Sequence, residues 1–245
     1  MRPPERDAED APGVYNQTNV TAAVQEILSS SQEGIVMDVG ANIGWFTLLS
    51  RAMGREVEAF EALRPNVFRM CESLFLNRWT KSTTAGKWDP STSGVRIYQT
   101  AVGGLLERTT LFQVGSHASV MVMRDTNTNA TKLVDTDTVT LDHFARGKQW
   151  FKTGTSIVLL KINVAGGEGD IIAGASRLLS SKLVKNVIMT AERVDKHWID
   201  TLVEAVFVVH KWGPWTGPDQ SLDGDDIYEA LKDAPTPLTI WWKRL

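Results

Sequence analysis

Ile35-Val36-Met37-Asp38-Val39-Gly40-Ala41-Asn42-Ile43-Gly44-Trp45-Phe46 joins a short apolar run to a glycine-punctuated loop and then to a segment of helical period. A run this short and apolar, bounded by Gly34 and Gly40, predicts a central parallel strand buried on both faces. Gly40 and Gly44 allow backbone conformations and a close approach that a side chain obstructs. Asn42 tolerates left-handed geometry better than most residues. A loop of this kind between strand and helix marks the place where open α/β sheets bind ligands, outside the carboxyl ends of the strands at a switch in strand order.

Reading outward, strand and helix patterns alternate. Helices are predicted over residues 18–28, 43–53, 65–77, 141–145, 168–180, 195–205 and 225–231. Strands are predicted over 56–60, 95–102, 157–163, 185–191, 207–209 and 238–242, with further β segments at 109–114, 119–123 and 133–140. Such alternation, closed by a terminal strand pair, predicts an α/β fold: a doubly wound, mostly parallel, seven-stranded sheet with helices on both faces and an antiparallel strand at the C-terminal end. Residues 1–17 predict a flexible tail, and 18–245 a single domain. Residues 79–94, rich in Ser, Thr and Gly, predict a surface insertion longer than ordinary αβ loops.

Composition narrows the class. At 245 residues, 42% hydrophobic and 22% charged with net charge −3, the chain resembles an ordinary globular domain without the basic stripe of a nucleic-acid binder. No apolar stretch is long enough to span a membrane. The lone Cys71 excludes an internal disulfide and sits in a helical pattern as a small apolar residue. No signal-peptide core precedes the domain. Three N-x-[ST] triplets, at Asn16, Asn19 and Asn129, matter only in a secretory lumen. The compartment stays open: soluble and cytoplasmic by default, luminal if the native N-terminus is missing. Oligomeric state is not legible, and no His or Cys pair has metal-ligand spacing, so no metal site is assigned.

Spacing identifies the ligand. A dinucleotide loop needs G-x-G-x-x-G and a helix N-terminus facing a pyrophosphate. Here the order is D-x-G-x-N-x-G, with a carboxylate ahead of the glycines. Asp38 can accept hydrogen bonds or face a cationic group, which suits the ammonium of S-adenosylmethionine and not a pyrophosphate. Glu61, ending the next strand, is placed to accept from both ribose hydroxyls, as the matching acid does in dinucleotide folds. The expected cofactor residues are Asp38, Gly40, Ala41, Asn42, Gly44, Glu61, Ala101, Val102 and Asn163.

These stretches resemble a known family. VMDVGANIGWFTLLSR followed by EVEAFEALRPNVF is similar to the opening of FkbM-type methyltransferases, with their DVGANxG loop and a strand ending in F-E-P. Val139 to Asp142 resembles the family's T-L-D segment, and Leu160-Lys161-Ile162-Asn163-Val164-Ala165-Gly166-Gly167-Glu168 its L-K-I-D-V-E-G-x-E. The resemblance covers residues 35–192. It implies the class I methyltransferase fold, S-adenosylmethionine as cofactor, and O-methylation of a sugar, glycan or other small hydroxylated acceptor.

Departures from the pattern bear on catalysis. Ala62-Leu63 replaces a proline-containing turn, Asn163 stands at the family's aspartate, and Ala165 at its glutamate. Losing two carboxylates there removes a proton acceptor or a group that orients the acceptor. Orientation alone can supply about 7–11 kcal/mol, and a general base about 10²–10⁴-fold. Glu168 and Glu192 are the replacement bases considered, with Asn163, Asp142 and His143 completing the catalytic candidates. Glu168 also suits the start of a helix, where a carboxylate complements the dipole. The alternative reading is a cofactor-binding, catalytically weak or inactive protein with a regulatory or assembly role. A nicotinamide oxidoreductase is disfavoured by the loop. Nine tryptophans include Trp45, placed to cover the cofactor, and Trp79, Trp88, Trp212 and Trp215, read as loop residues able to stack on a sugar or an adenine.

Overall fold

Apolar strands flanked by helical segments can hide both faces only in three layers, and the chain folds that way. The structure is a computed structural model. It describes residues 17–31, 33–79, 81–82, 88–89, 93–114, 120–122, 130–164, 166–212, 215–216, 223–235 and 237–245. Residues 1–16, most of the expected 79–94 insertion, His117, Asn129 and Ala165 lie outside the described residues.

The first half runs α1 (Thr18–Ser30), β1 (Ile35–Val39), α2 (Trp45–Ala52), β2 (Val57–Phe60), α3 (Arg64–Leu76), the short antiparallel pair β3 (Lys81–Ser82) and β4 (Trp88–Asp89), then β5 (Val95–Tyr98). A second group follows: β6 (Ala101–Val102), β7 (Glu107–Val114), β8 (Val120–Val122) and β9 (Ala130–Val139). The remainder is α4 (Leu141–Gly147), α5 (Trp150–Thr153), β10 (Ile157–Asn163), α6 (Glu168–Ala173), α7 (Ser176–Ser180), β11 (Asn186–Ala191), α8 (Lys196–Glu204), β12 (Phe207–Trp212), β13 (Trp215–Thr216), α9 (Gly224–Leu231) and β14 (Leu238–Arg244).

The main sheet is ordered β13-β12-β14-β11-β10-β1-β2-β5. Its seven principal strands are parallel except β14, which runs antiparallel to both β11 and β12. This is the expected sheet with its reversed strand at the C-terminal end. The two-residue β13 adds an eighth member at the edge. Trp212 and Trp215 are register partners in the β12–β13 pairing, so they belong to strands and not to a loop.

Alternate strand residues feed two cores. On one face Val36, Val57, Ala59, Val158 and Leu159 meet Val24 and Ile27 of α1, Phe46 of α2, and Met70 and Leu74 of α3. On the other Met37, Val39, Phe60, Leu160, Ile162 and Met189 meet side chains of α4 to α9. The strand order reverses between β1 and β10, which places a cleft above their carboxyl ends.

The predicted strand over 95–102 divides. β5 ends at Tyr98, and Ala101–Val102 pairs with β9 in a separate sheet ordered β6-β9-β7-β8. Thr100 Oγ1 donates to the Asp137 carbonyl at 2.7 Å, fixing the departure. This second sheet stands beside the carboxyl ends of the main strands and becomes one wall of the cleft.

Candidate active site

The cleft occupies about 400 Å³, within the range of small-molecule sites. The β1–α2 loop forms its floor. Asn42 adopts a positive φ of 52°, as its type allows, and Gly40 and Gly44 have φ of 71° and 95°. A Cβ on Gly40 would lie 2.0 Å from the Asn163 carbonyl oxygen, so β1's loop and the end of β10 meet backbone to backbone.

The loop's amides turn inward. Gly40 and Ala41 N–H both donate to the Phe60 carbonyl at 3.0 Å, and Gly44 N–H donates to Ala41 O at 2.9 Å. Asn42 N–H donates to Glu61 Oε2 at 2.8 Å. A phosphate-binding loop needs such amides aimed at the ligand. Four of them are engaged within the protein, which removes the anion cradle that a pyrophosphate requires.

Glu61 sits at the end of β2, nearly buried yet lining the cleft. Its Oε1 accepts from Leu63 N–H at 2.8 Å and Asn66 Nδ2 at 3.2 Å. These donors fix the carboxylate in direction. A carboxylate has about four lone-pair sites, so one remains for a hydroxyl in the cleft. Ala62, Leu63, Ala101 and Val102 supply low side walls around it. The geometry fits a ribose with an apolar ring beside it.

Asp38 is not in the cleft wall. It is fully buried, with Thr47 Oγ1 of α2 donating to its Oδ2 at 2.7 Å. Lys161 Nζ lies 3.0 Å from its Oδ1. The cation that Asp38 faces is therefore Lys161, its register partner on β10, and not a group of a ligand. Lys161 Nζ also donates to Gly40 O at 2.9 Å, and the residue lines the cleft. Sequence reading missed Lys161, although a signal existed. Two adjacent apolar strands each carry one interior charge, of opposite sign.

Of the remaining expected residues, Gly40, Ala41, Asn42, Ala101, Val102, Asn163 and Glu192 line the cleft, and Gly44 caps the N-terminus of α2. Trp45 also lines it, its Nε1 donating to Thr21 Oγ1 at 3.2 Å. Gln17, Thr190 and Pro237 join the wall without having been anticipated. Glu168 starts α6 behind Gly167 and is buried, accepting from Gly166 N–H at 2.9 Å. Burial pushes its pKa up; N–H groups of Gly166 and of Glu168 itself oppose this, the Glu192 charge adds to it, and the Glu192 N–H opposes it.

Asp142 and His143 are placed elsewhere. Asp142 Oδ1 and Oδ2 accept from the N–H groups of Leu178 and Arg177, at 2.7 and 3.0 Å, capping α7 from a neighbouring element. His143 is exposed and contributes its N–H to the Thr140 cap of α4. Neither is among the residues lining the cleft.

A family model described as "Methyltransferase FkbM domain" matches residues 38–209, from the end of β1 into β12. The chain belongs to the FkbM methyltransferase family. S-adenosylmethionine is the cofactor that goes with this membership, and the acid on β2 and the inward-turned loop fit it. Similar solved structures include a methyltransferase FkbM from Methylobacillus flagellatus KT, 14% identical over 86% of this chain and 43% of that one, TM-score 0.43. An S-adenosylmethionine-dependent methyltransferase from Agrobacterium tumefaciens is 9% identical over 79% and 51%, TM-score 0.43. A protein of the NADB-Rossmann superfamily from Streptococcus agalactiae is 11% identical over 90% and 67%, TM-score 0.44. The chain thus spans about half the length of the first two. No curated protein matches it. Among the described residues of this FkbM-family chain, no helix is long and apolar enough to cross a membrane.

Proposed function

We propose that this chain transfers a methyl group from S-adenosylmethionine to a hydroxyl of a sugar, glycan or other small molecule. One observation carries the reading: a single cleft is lined by Glu61 and the β1–α2 loop together with Asn163, Thr190 and Glu192. The cofactor, when bound, supplies a methyl carbon already activated by its sulfonium.

The chain's own residues would do the rest. Glu61 accepts a ribose hydroxyl, and Ala62, Leu63, Ala101 and Val102 exclude water beside it. Asn163, at the end of β10, and Thr190, at the end of β11, orient the acceptor hydroxyl. Glu192, just after β11 in the cleft, takes the proton as that oxygen attacks. The charge of the cleft supports a neutral acceptor. Lys161 is the one cation among the described lining residues, and it is paired with Asp38. Glu61 and Glu192 are left to repel a phosphorylated substrate or a nucleic-acid backbone.

A second reading, cofactor binding without efficient turnover, is favoured by Asn163 standing where the family pattern has aspartate. Calorimetry with S-adenosylhomocysteine and NAD, followed by methyl transfer to a panel of sugars and small alcohols, separates these readings. Binding of S-adenosylhomocysteine and not NAD is expected, and no binding of the former would sink the proposal. Glu192→Gln should lower kcat by about 10²–10⁴-fold while leaving the affinity for S-adenosylhomocysteine unchanged. A retained rate would move the base to another group.

A further inference from the structure

Beneath the cleft floor, β10 is buried along its length, and the one charge it carries is Lys161. The side chain is long enough to pass its register partner Asp38 and reach the next turn of chain. There its Nζ donates to the Gly40 carbonyl at 2.9 Å while lying 3.0 Å from Asp38 Oδ1. The two contacts have different consequences. The contact with Asp38 balances charge, and a buried pair of that kind can often be exchanged for uncharged residues with little change in stability. The contact with Gly40 is different in kind: it ties the half-buried first carbonyl of the loop directly to β10, and an apolar side chain offers no donor to replace it.

The opposite edge of the same loop is held from β2. Gly40 and Ala41 N–H donate to Phe60 O, and Asn42 N–H to Glu61 Oε2. The loop is thus gripped by its donors from one neighbouring strand and by its first carbonyl from the other. We propose that Lys161 is a positioning residue for the cofactor loop: its ammonium straps the Gly40 carbonyl to β10 and so holds the loop in its ligand-receiving form. The proposal rests on the cofactor reading above and adds to it the group that sets the floor. Preorganisation of this kind improves affinity by removing an ordering cost that binding would otherwise bear.

The test compares two variants of the full chain, Asp38→Asn and the double Asp38→Asn/Lys161→Met. Both lack the Asp38 charge, and only the first keeps a donor for Gly40 O. Three quantities are read: urea stability, affinity for S-adenosylhomocysteine by calorimetry, and amide hydrogen exchange at Gly40 to Asn42 without ligand. The double variant should be more stable than Asp38→Asn, which leaves a buried ammonium without its counter-charge, and yet bind at least tenfold more weakly and exchange the loop amides at least tenfold faster. Equal affinity and equal exchange in the two variants would overturn the strap and leave Lys161 as a neutraliser of Asp38. Should the wild-type chain bind no S-adenosylhomocysteine, the cofactor reading fails, and the exchange comparison alone still decides the strap.

Discussion

The Glu168 carboxyl opens α6, lies buried, and accepts the Gly166 N–H at 2.9 Å. Burial raises its pKa above the ordinary glutamate value of 4.5. In the unfolded chain it ionises at that ordinary value, so between the two the unfolded state loses its proton first. Stability linked to Glu168 is therefore complete below the ordinary value and is lost as pH rises through the higher, folded one. Glu168→Gln should flatten that part of the stability profile, read as urea midpoints at a series of pH values. Profiles that stay parallel would show that Glu168 titrates as freely folded as unfolded. Sequence placed this residue at a helix start and left catalysis and dipole complementation open. Position along the chain does not report depth, and depth is what distinguishes Glu168 from Glu192, which lines the cleft at the end of β11.

At the scale of elements, α7 shows why a sequence pattern can locate a helix and misjudge its ends. Apolar residues Ile171, Ile172, Ala175, Leu178 and Leu179 continue one periodicity, and a single helix over 168–180 is the natural reading. The structure breaks it into α6 and α7 at Gly174 and Ala175. A Cβ on Gly174 would lie 2.3 Å from the Gly103 carbonyl, so another segment of backbone crosses there. The new N-terminus needs a cap, and Ala175 cannot provide one. Asp142 supplies it from α4 through Arg177 and Leu178 N–H. Asp142→Ala should cost about 0.5–2 kcal/mol in urea unfolding, as loss of a helix cap does, and leave kcat unchanged. A fall in kcat beyond what the lost stability explains would return Asp142 to the chemistry. The same tertiary origin explains the divided strand at 95–102. Tyr98 and Ala101 are separated by two residues, and the Thr100 bond to Asp137, 37 residues away, together with the pairing of Ala101 and Val102 to β9, turns the chain into a second sheet.

Over the whole molecule, the β1–α2 loop and Glu61 were legible as parts of one cleft because they are local. Loop, strand end and acid lie between Ile35 and Glu61, within one β-α-β unit whose geometry is common to many chains. The rest of its lining is assembled from distant parts: Asn163 and Thr190 from two strands, Pro237 from the segment before β14, and Leu111 from the second sheet. No spacing rule ties these together, so their meeting had to be seen. Leu111 is the sharpest case. It is nearly buried, pairs with Val122 and Val134 in the second sheet, and lines the cleft. It comes from β7, whereas the residues that the same sheet sets beside Glu61 come from β6. If β7 serves the acceptor, Leu111→Ala should lower kcat/KM for the acceptor by about 10–200-fold, the scale of a lost apolar contact in a pocket. Affinity for S-adenosylhomocysteine should stay within about twofold. Stability will fall as well, by about 2–5 kcal/mol for a buried leucine, so both constants are measured at a temperature where the variant remains folded. A parallel loss of S-adenosylhomocysteine affinity would assign β7, like β6, to the cofactor and shift the acceptor toward Thr190, Glu192 and Pro237.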